Sequence, residues 1–158
     1  MQQSLDDRKK AVLRSIHLIG LSEPKILDID RWFANWYTHS YNPQFSFLND
    51  SNHPDWEHIP SPSNYFDMVF VGDSILESDL LGWHLQEIKR VLRPGGIVTF
   101  YIPNPTYHLL RFQRYPTLYN PRQLIKHCKV NGFKIAPYIH RLKKVGRSSP
   151  HIALRART

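Results

Sequence analysis

The sequence predicts an α/β fold: a mostly parallel sheet with helices on both faces and an antiparallel last strand. Three observations predict it. First, Phe66 to Val71 is a short, almost wholly apolar run, the pattern of a strand buried on both faces. Second, from Asp79 to Leu92 the apolar positions Leu81, Leu85, Ile88 and Leu92 fall at i, i+4, i+7 and i+11, on one helical face. Third, Pro94-Gly95-Gly96 interrupts that pattern and Ile97 to Ile102 is again continuously apolar. Two buried strands joined by an amphipathic crossover helix make a parallel, right-handed β-α-β unit. Ser78 is placed to cap the helix, with Asp79 in its first turn. Lys89, Arg90 and Arg93 gather at its C-terminal end, where cations suit the helix dipole.

These residues carry a resemblance. Phe66-Asp67 entering a strand, a helix ending Glu87-Ile88-Lys89-Arg90-Val91-Leu92, then Arg93-Pro94-Gly95-Gly96 before a strand ending Pro103-Asn104, is similar to the second half of the class I S-adenosylmethionine-dependent methyltransferases of the small-molecule type. The resemblance runs from Lys25 to the end of the chain and implies a Rossmann-like sheet. It implies S-adenosylmethionine as cofactor and, since ligands of open α/β sheets sit beyond the strand C-termini, a site drawn from Asp28, Asp30, Asp50, Asp73 and Ser74. No catalytic motif stands out, which methyl transfer by alignment of nucleophile and methyl group does not require.

In chain order, Ser4 to Ile19 has helical periodicity, with Leu5, Val12, Ile16 and Ile19 as its stripe, Asp6 and Asp7 in its first turn and Gly20 as its stop. Lys25 to Asp30 resembles the family's first strand. The family continues from there into a glycine-rich loop, because glycine lets the backbone turn sharply and approach the ligand. This chain continues Asp30-Arg31-Trp32-Phe33-Ala34-Asn35-Trp36-Tyr37, and no glycine occurs between Gly20 and Gly72. Bulky rings stand where the family leaves room for a nucleoside. The interval from Lys25 to Tyr65 is also short. A β-α-β unit takes roughly 30 residues or more, so about one strand-helix unit is expected to be missing.

Gln44 to Asp50 alternates Phe45 and Phe47 and is expected to be the next strand, either the family's second or its third. Asp50 then either ends the second strand and holds ribose hydroxyls, or ends the third, or caps a turn with Asn49 and Ser51. Ser51 to Asn64, with Pro54, Pro60 and Pro62, is a surface loop anchored by Trp56 and Ile59. Its His53, His58, Asp50, Asp55 and Glu57 match no metal-ligand spacing, and no metal is expected. Pro103 to Pro121 interleaves Tyr107, His108, Arg111, Phe112, Arg114, Tyr115 and Tyr119. The resemblance places this stretch over the substrate, and the same mixture suits nucleobase stacking or a loop packed by its own rings. Asn120-Pro121 opens a late helix with Leu124, Ile125 and Cys128 inward, and Asn131-Gly132 ends it. Lys134 to His140 and His151 to Arg155 are expected to pair as two edge strands, with Lys143, Lys144, Arg147, Arg155 and Arg157 either as charges guarding that edge or as half of an anion-binding face.

The chain of 158 residues is expected to be a single domain: a helix over 1–20, the α/β core over 25–103, and the substrate-side loop, late helix and terminal hairpin over 104–158. No apolar run reaches membrane-spanning length, and the one cysteine, Cys128, permits no internal disulfide, so a cytoplasmic protein with a buried, inert thiol is expected. The net charge of +8 is divided unevenly. Residues 1–80 hold 6 Lys/Arg against 12 Asp/Glu, whereas residues 81–158 hold 15 against one, Glu87. Such a half can face an anionic partner such as nucleic acid, form a solvated basic face, or complement the acidic half within the fold or in a homo- or hetero-oligomer. Three functions follow: a degenerate relative acting as a binding or scaffold protein, an active methyltransferase with an atypical cofactor site, and a nucleic-acid-associated domain.

Overall fold

A computed structural model describes residues 13–30, 44–47, 58–72, 75, 79–103, 121–135 and 151–158. Six strands, β1 (Lys25–Asp28), β2 (Gln44–Phe47), β3 (Phe66–Val71), β4 (Leu92–Pro103), β5 (Lys134–Ile135) and β6 (His151–Arg157), form one sheet in the order β2-β1-β3-β4-β6-β5. The first four pair in parallel, and β6 runs antiparallel to both β4 and β5. Three helices accompany them: α1 (residues 13–19), α2 (Leu81–Val91) and α3 (Pro121–Val130). The expected mixed α/β sheet is therefore present. β2 pairs directly with β1, so Phe45 and Phe47 belong to the second strand of the family order. Among the described residues β2 is the edge strand; the segments 31–43 and 48–57, on which the expected loss of a strand-helix unit turns, lie outside them.

The central strand β3 is buried at all six positions. This follows from its continuous apolar run, because helices cover both sides of the sheet. On one side α1 sets Ile16 against Ile26, Met68, Phe70 and Tyr101. On the other, Leu81, Leu85, Ile88 and Val91 of α2 and Leu124 and Cys128 of α3 pack on Leu27, Val69, Val71, Val98, Phe100, Leu154 and Ala156. Each fully buried side chain of this size contributes about 1.5–3 kcal/mol relative to an exposed one, so the four α2 residues dominate that helix's docking. Burial pushes the Cys128 thiol up to about 12, which leaves it uncharged and unreactive at neutral pH.

The ends of the helices are set by glycine and by strand pairing. α1 ends at Gly20, whose φ of 68° closes hydrogen bonds to the Ile16 and His17 carbonyls. α3 ends at Asn131-Gly132: with Gly132 at φ 80°, its N–H donates to the Lys129 carbonyl and that of Phe133 to the Cys128 carbonyl. This is the paired-bond stop that a left-handed glycine permits. α2 starts later than the sequence suggests. Its N-cap is Leu80, without a side-chain cap, so Ser78 does not occupy the cap position. At its other end β4 begins immediately, with Leu92 opposite Phe66. Arg93-Pro94-Gly95-Gly96 then bulges out before Ile97 resumes opposite Met68.

The two edge strands expected at the C-terminus are corrected in one respect. β6 is interior, between β4 and β5, and it extends to Arg157. Arg155 is consequently no guard of an exposed edge. It is buried, and its Nε donates to the Ser15 hydroxyl oxygen at 2.7 Å, while the Thr99 hydroxyl donates to the same oxygen at 3.0 Å, tying α1 to β4 and β6. The physical reason is that a strand paired on both sides has no free edge to protect.

A polar knot fixes the loop before β3. The Glu87 carboxylate accepts from the Ile59 N–H at 3.1 Å and from Arg90 Nε and Nη2, both at 2.9 Å, and His58 Nδ1 stands 2.9 Å away. Arg90 in turn donates to the Ile59 and Ser61 carbonyls at 2.8 and 2.9 Å. The Arg90 hydrogen bonds hold the Glu87 carboxyl below its ordinary value against the opposing effect of burial. A depressed carboxylate stabilises the fold above the unfolded-state value and loses that contribution as pH falls through the folded one. Stability measured by urea unfolding should therefore fall as pH drops below about 4.3. In Glu87→Gln that acid limb should flatten, with a loss of about 2 kcal/mol at neutral pH.

A second prediction concerns the bulge. A Cβ on Gly96 would lie 2.8 Å from the Arg93 carbonyl oxygen and 3.2 Å from that of Asp67, both backbone atoms, whereas one on Gly95 meets open space but a φ of 77°. Gly96→Ala should cost about 1–3 kcal/mol through overpacking, and Gly95→Ala about 1 kcal/mol through the left-handed backbone. Paired thermal melts would check the order.

Candidate functional site

In the order β2-β1-β3 the chain leaves β1 toward one side and returns to β3 on the other. The sheet therefore reverses between β1 and β3, and the crevice beyond their C-termini is where open α/β sheets bind ligands. Two of the five expected site residues are described there. Asp28 ends β1, opposite Phe70 of β3 and Phe47 of β2, and is fully buried. Asp30 lies two residues on. Its Oδ2 accepts a hydrogen bond from the Gly72 N–H at 2.5 Å, and one residue earlier the Ile29 N–H donates to the Phe70 carbonyl at 3.0 Å. The β1 and β3 ends are thus laced together across the mouth of the crevice. Asp50, Asp73 and Ser74 lie outside the described residues, as do Trp32, Phe33 and the segment 104–120.

The lacing has a direct chemical consequence. Asp30 stands at the position where the family's glycine-rich loop begins. A glycine there leaves backbone N–H groups free and space for a ligand to approach. Asp30 instead carries a carboxylate at that position and accepts with it from the N–H of the facing strand end. A charge-assisted bond of this kind is among the stronger hydrogen bonds in proteins. Tyr101, buried near the C-terminal end of β4, belongs to the same α1-side cluster as Ile26 and Phe70.

Other charged residues act at the opposite end of the sheet, which sequence reasoning did not single out. Asp67, at the start of β3, accepts from the Lys25 N–H at 2.8 Å and from Arg93 Nη1 at 3.0 Å, joining β1, β3 and the bulge of β4. The Lys25 ammonium also sits 4.3 Å from the Tyr65 ring centroid. Asp67 is the one acid in the otherwise apolar β3, and Glu87 lies three residues before Arg90 on α2; these are the local signals that mark them as partners of Arg93 and Arg90. Among the described residues no group of three or more His, Cys, Asp or Glu side chains is arranged to hold a metal ion. His58, the described member of the loop histidines, is engaged with Glu87 instead.

Comparison with known proteins agrees with this geometry. Residues 27–100 match the methyltransferase domain family. No curated protein matches the sequence. Among solved structures, the Burkholderia thailandensis 1,6-didemethyltoxoflavin-N1-methyltransferase with bound 1,6-didemethyltoxoflavin and S-adenosylhomocysteine is similar over 96% of this chain and 77% of its own, with a TM-score of 0.67 and 16% identity. The S-adenosylmethionine-dependent methyltransferase of Mesorhizobium loti is similar over 94% and 98%, with a TM-score of 0.57 and 11% identity. The [4+2]-cyclase SpnF is similar over 92% and 80%, with a TM-score of 0.60 and 16% identity. The sheet, its switch point and these matches give the described residues the Rossmann-like fold that these solved methyltransferases share, with 27–100 matching the methyltransferase domain. At identities this low the solved structures speak for the fold, which is the Rossmann-like one that the Pro-Gly-Gly segment implies. No helix among the described residues is long and apolar enough to cross a membrane.

The weight carried by Asp30 is measurable. Asp30→Ala, which removes the acceptor for the Gly72 N–H, should lower unfolding free energy by about 1.5–3 kcal/mol. Asp30→Asn, which keeps an acceptor oxygen, should lose less than half as much in the same denaturant series.

Proposed function

We propose that this methyltransferase-like domain is degenerate in its cofactor loop and serves as a binding or scaffold protein rather than as a catalyst. One observation supports this above the others: the Asp30 carboxylate occupies the start of the cofactor loop and is committed to the Gly72 N–H across the crevice. Asp30 therefore does not fit S-adenosylmethionine held in the ordinary way. That grip needs a flexible turn with unengaged N–H donors, and the sequence from Asp30 to Tyr37 supplies none of the glycines for it. SpnF, on a similar fold, is a cyclase, which illustrates that the fold alone does not dictate methyl transfer.

A second reading, an active enzyme with an atypical cofactor site, is favoured by the match to the methyltransferase domain family and by the S-adenosylhomocysteine bound to the Burkholderia neighbour. In that reading Asp28 and Asp30 sit where open α/β sheets take their ligands, and the chain's own contribution would be alignment rather than acid-base chemistry.

Calorimetric titration with S-adenosylmethionine, and separately with S-adenosylhomocysteine, decides between the two. We expect no heat of binding in either titration from a sample that still melts cooperatively. Saturable binding in the micromolar range would overturn the degenerate reading and establish the second.

A further inference from the structure

The outer face of the α2–α3 layer carries an exposed array of cations and one indole. Both helices end at the same end of the sheet: α2 leads into β4, and α3 leads into β5, which runs in the same direction as β4 because each is antiparallel to β6. Side by side, they present two rows. On α2, Trp83, Gln86 and Lys89 follow at i, i+3 and i+6, all exposed, with Trp83 at 54%. On α3, Arg122, Lys126 and Lys129 follow at i, i+4 and i+7, also exposed. Residues at these spacings stack along one helix face about one turn apart.

Between the C-terminal ends of the two helices lies an open groove of about 620 Å³, lined among others by Ser63, Asn64, Lys89, Arg90 and Asn131. Lys89 Nζ reaches across it to the Asn131 carbonyl at 3.2 Å, which holds the two rows at a fixed separation. Nothing acidic offsets them within these elements. The one acid from residue 81 onward, Glu87, is buried and engaged with Arg90 and Ile59.

A row of three cations on α3, beside Lys89 and a half-exposed indole on α2, suits one kind of partner. The ammonium and guanidinium groups match a chain of phosphates, and the indole offers a stacking surface to a base. We propose that the outer face of α2 and α3 is a docking surface for single-stranded nucleic acid, with Lys89, Arg122, Lys126 and Lys129 on the phosphates and Trp83 under a base. The proposal rests on the binding-protein reading in naming the partner, yet it stands apart from the question of cofactor affinity.

The test is fluorescence anisotropy of a labelled short single-stranded RNA with the full chain, across a salt series and with and without S-adenosylhomocysteine. Wild type should bind in low salt and weaken steeply as salt rises. Lys126→Glu should weaken binding several-fold and reduce the salt slope by about one. Arg14→Glu makes the same charge change at an exposed position of α1, on the opposite face of the sheet, and should stay within about twofold of wild type. Trp83→Ala should cost about fivefold or more, the scale of one lost stacking contact. Absence of RNA binding in low salt overturns the proposal, and so does an equal effect of Lys126→Glu and Arg14→Glu. Competition by polyglutamate as strong as that by unlabelled RNA, with Trp83→Ala silent, would assign the face to an acidic protein and likewise overturn it. A cofactor-binding result in either direction changes none of these outcomes.

Discussion

The hydrogen bond between the Asp30 carboxylate and the Gly72 N–H closes the two strand ends between which the sheet reverses its order. An open parallel sheet has one natural ligand site, the crevice at that reversal, because adjacent connections leave toward opposite faces there. In this chain a side chain just beyond one strand end accepts from the first N–H beyond the other. The rest of the described domain packs around that pair of strands. β3 is buried throughout, two helical layers pack on opposite faces, Asp67 ties the starts of β1 and β3 to Arg93, and Glu87 with Arg90 fixes the loop before β3.

The pairing of the sheet is unevenly distributed between its two halves. The edge strand β2 pairs through all four residues of β1, and β1 lies against β3 over three. The second half carries more of the core: β4 is paired on both flanks and α2 buries its full apolar stripe. The uneven charge has a geometric resolution. Part of the positive half turns inward, as Arg155 does toward Ser15, and part pairs with acids, as Arg90 and Arg93 do; the remainder lines exposed faces.

Much of this was legible in the sequence where the information is local. The apolar run of β3, the i, i+4, i+7 stripe of α2 and the glycine stops at Gly20 and Gly132 each depend on residues close together in the chain, and each appears where the pattern puts it. What depends on distant pairing was not legible. The insertion of β6 between β4 and β5 follows from a register joining Ile97 to Arg157, and no local pattern encodes it. Arg155 therefore looked like an edge charge and is an interior one. The Leu80 cap was missed because Ser78 offered the better side chain while the backbone entered the helix later. For the candidate site, Asp28 and Asp30 were identifiable as acids at the end of a strand, but the bond to Gly72 links residues 42 positions apart and required the fold.

The most direct test of the closed crevice is amide hydrogen exchange at Gly72, followed by nuclear magnetic resonance with and without saturating S-adenosylhomocysteine. The bond to Asp30 predicts a Gly72 N–H that exchanges slowly, in step with the β3–β4 ladder, and a resonance that the nucleoside leaves in place. Rapid exchange in the free protein, or a Gly72 signal that shifts and becomes protected only when S-adenosylhomocysteine is added, would contradict it.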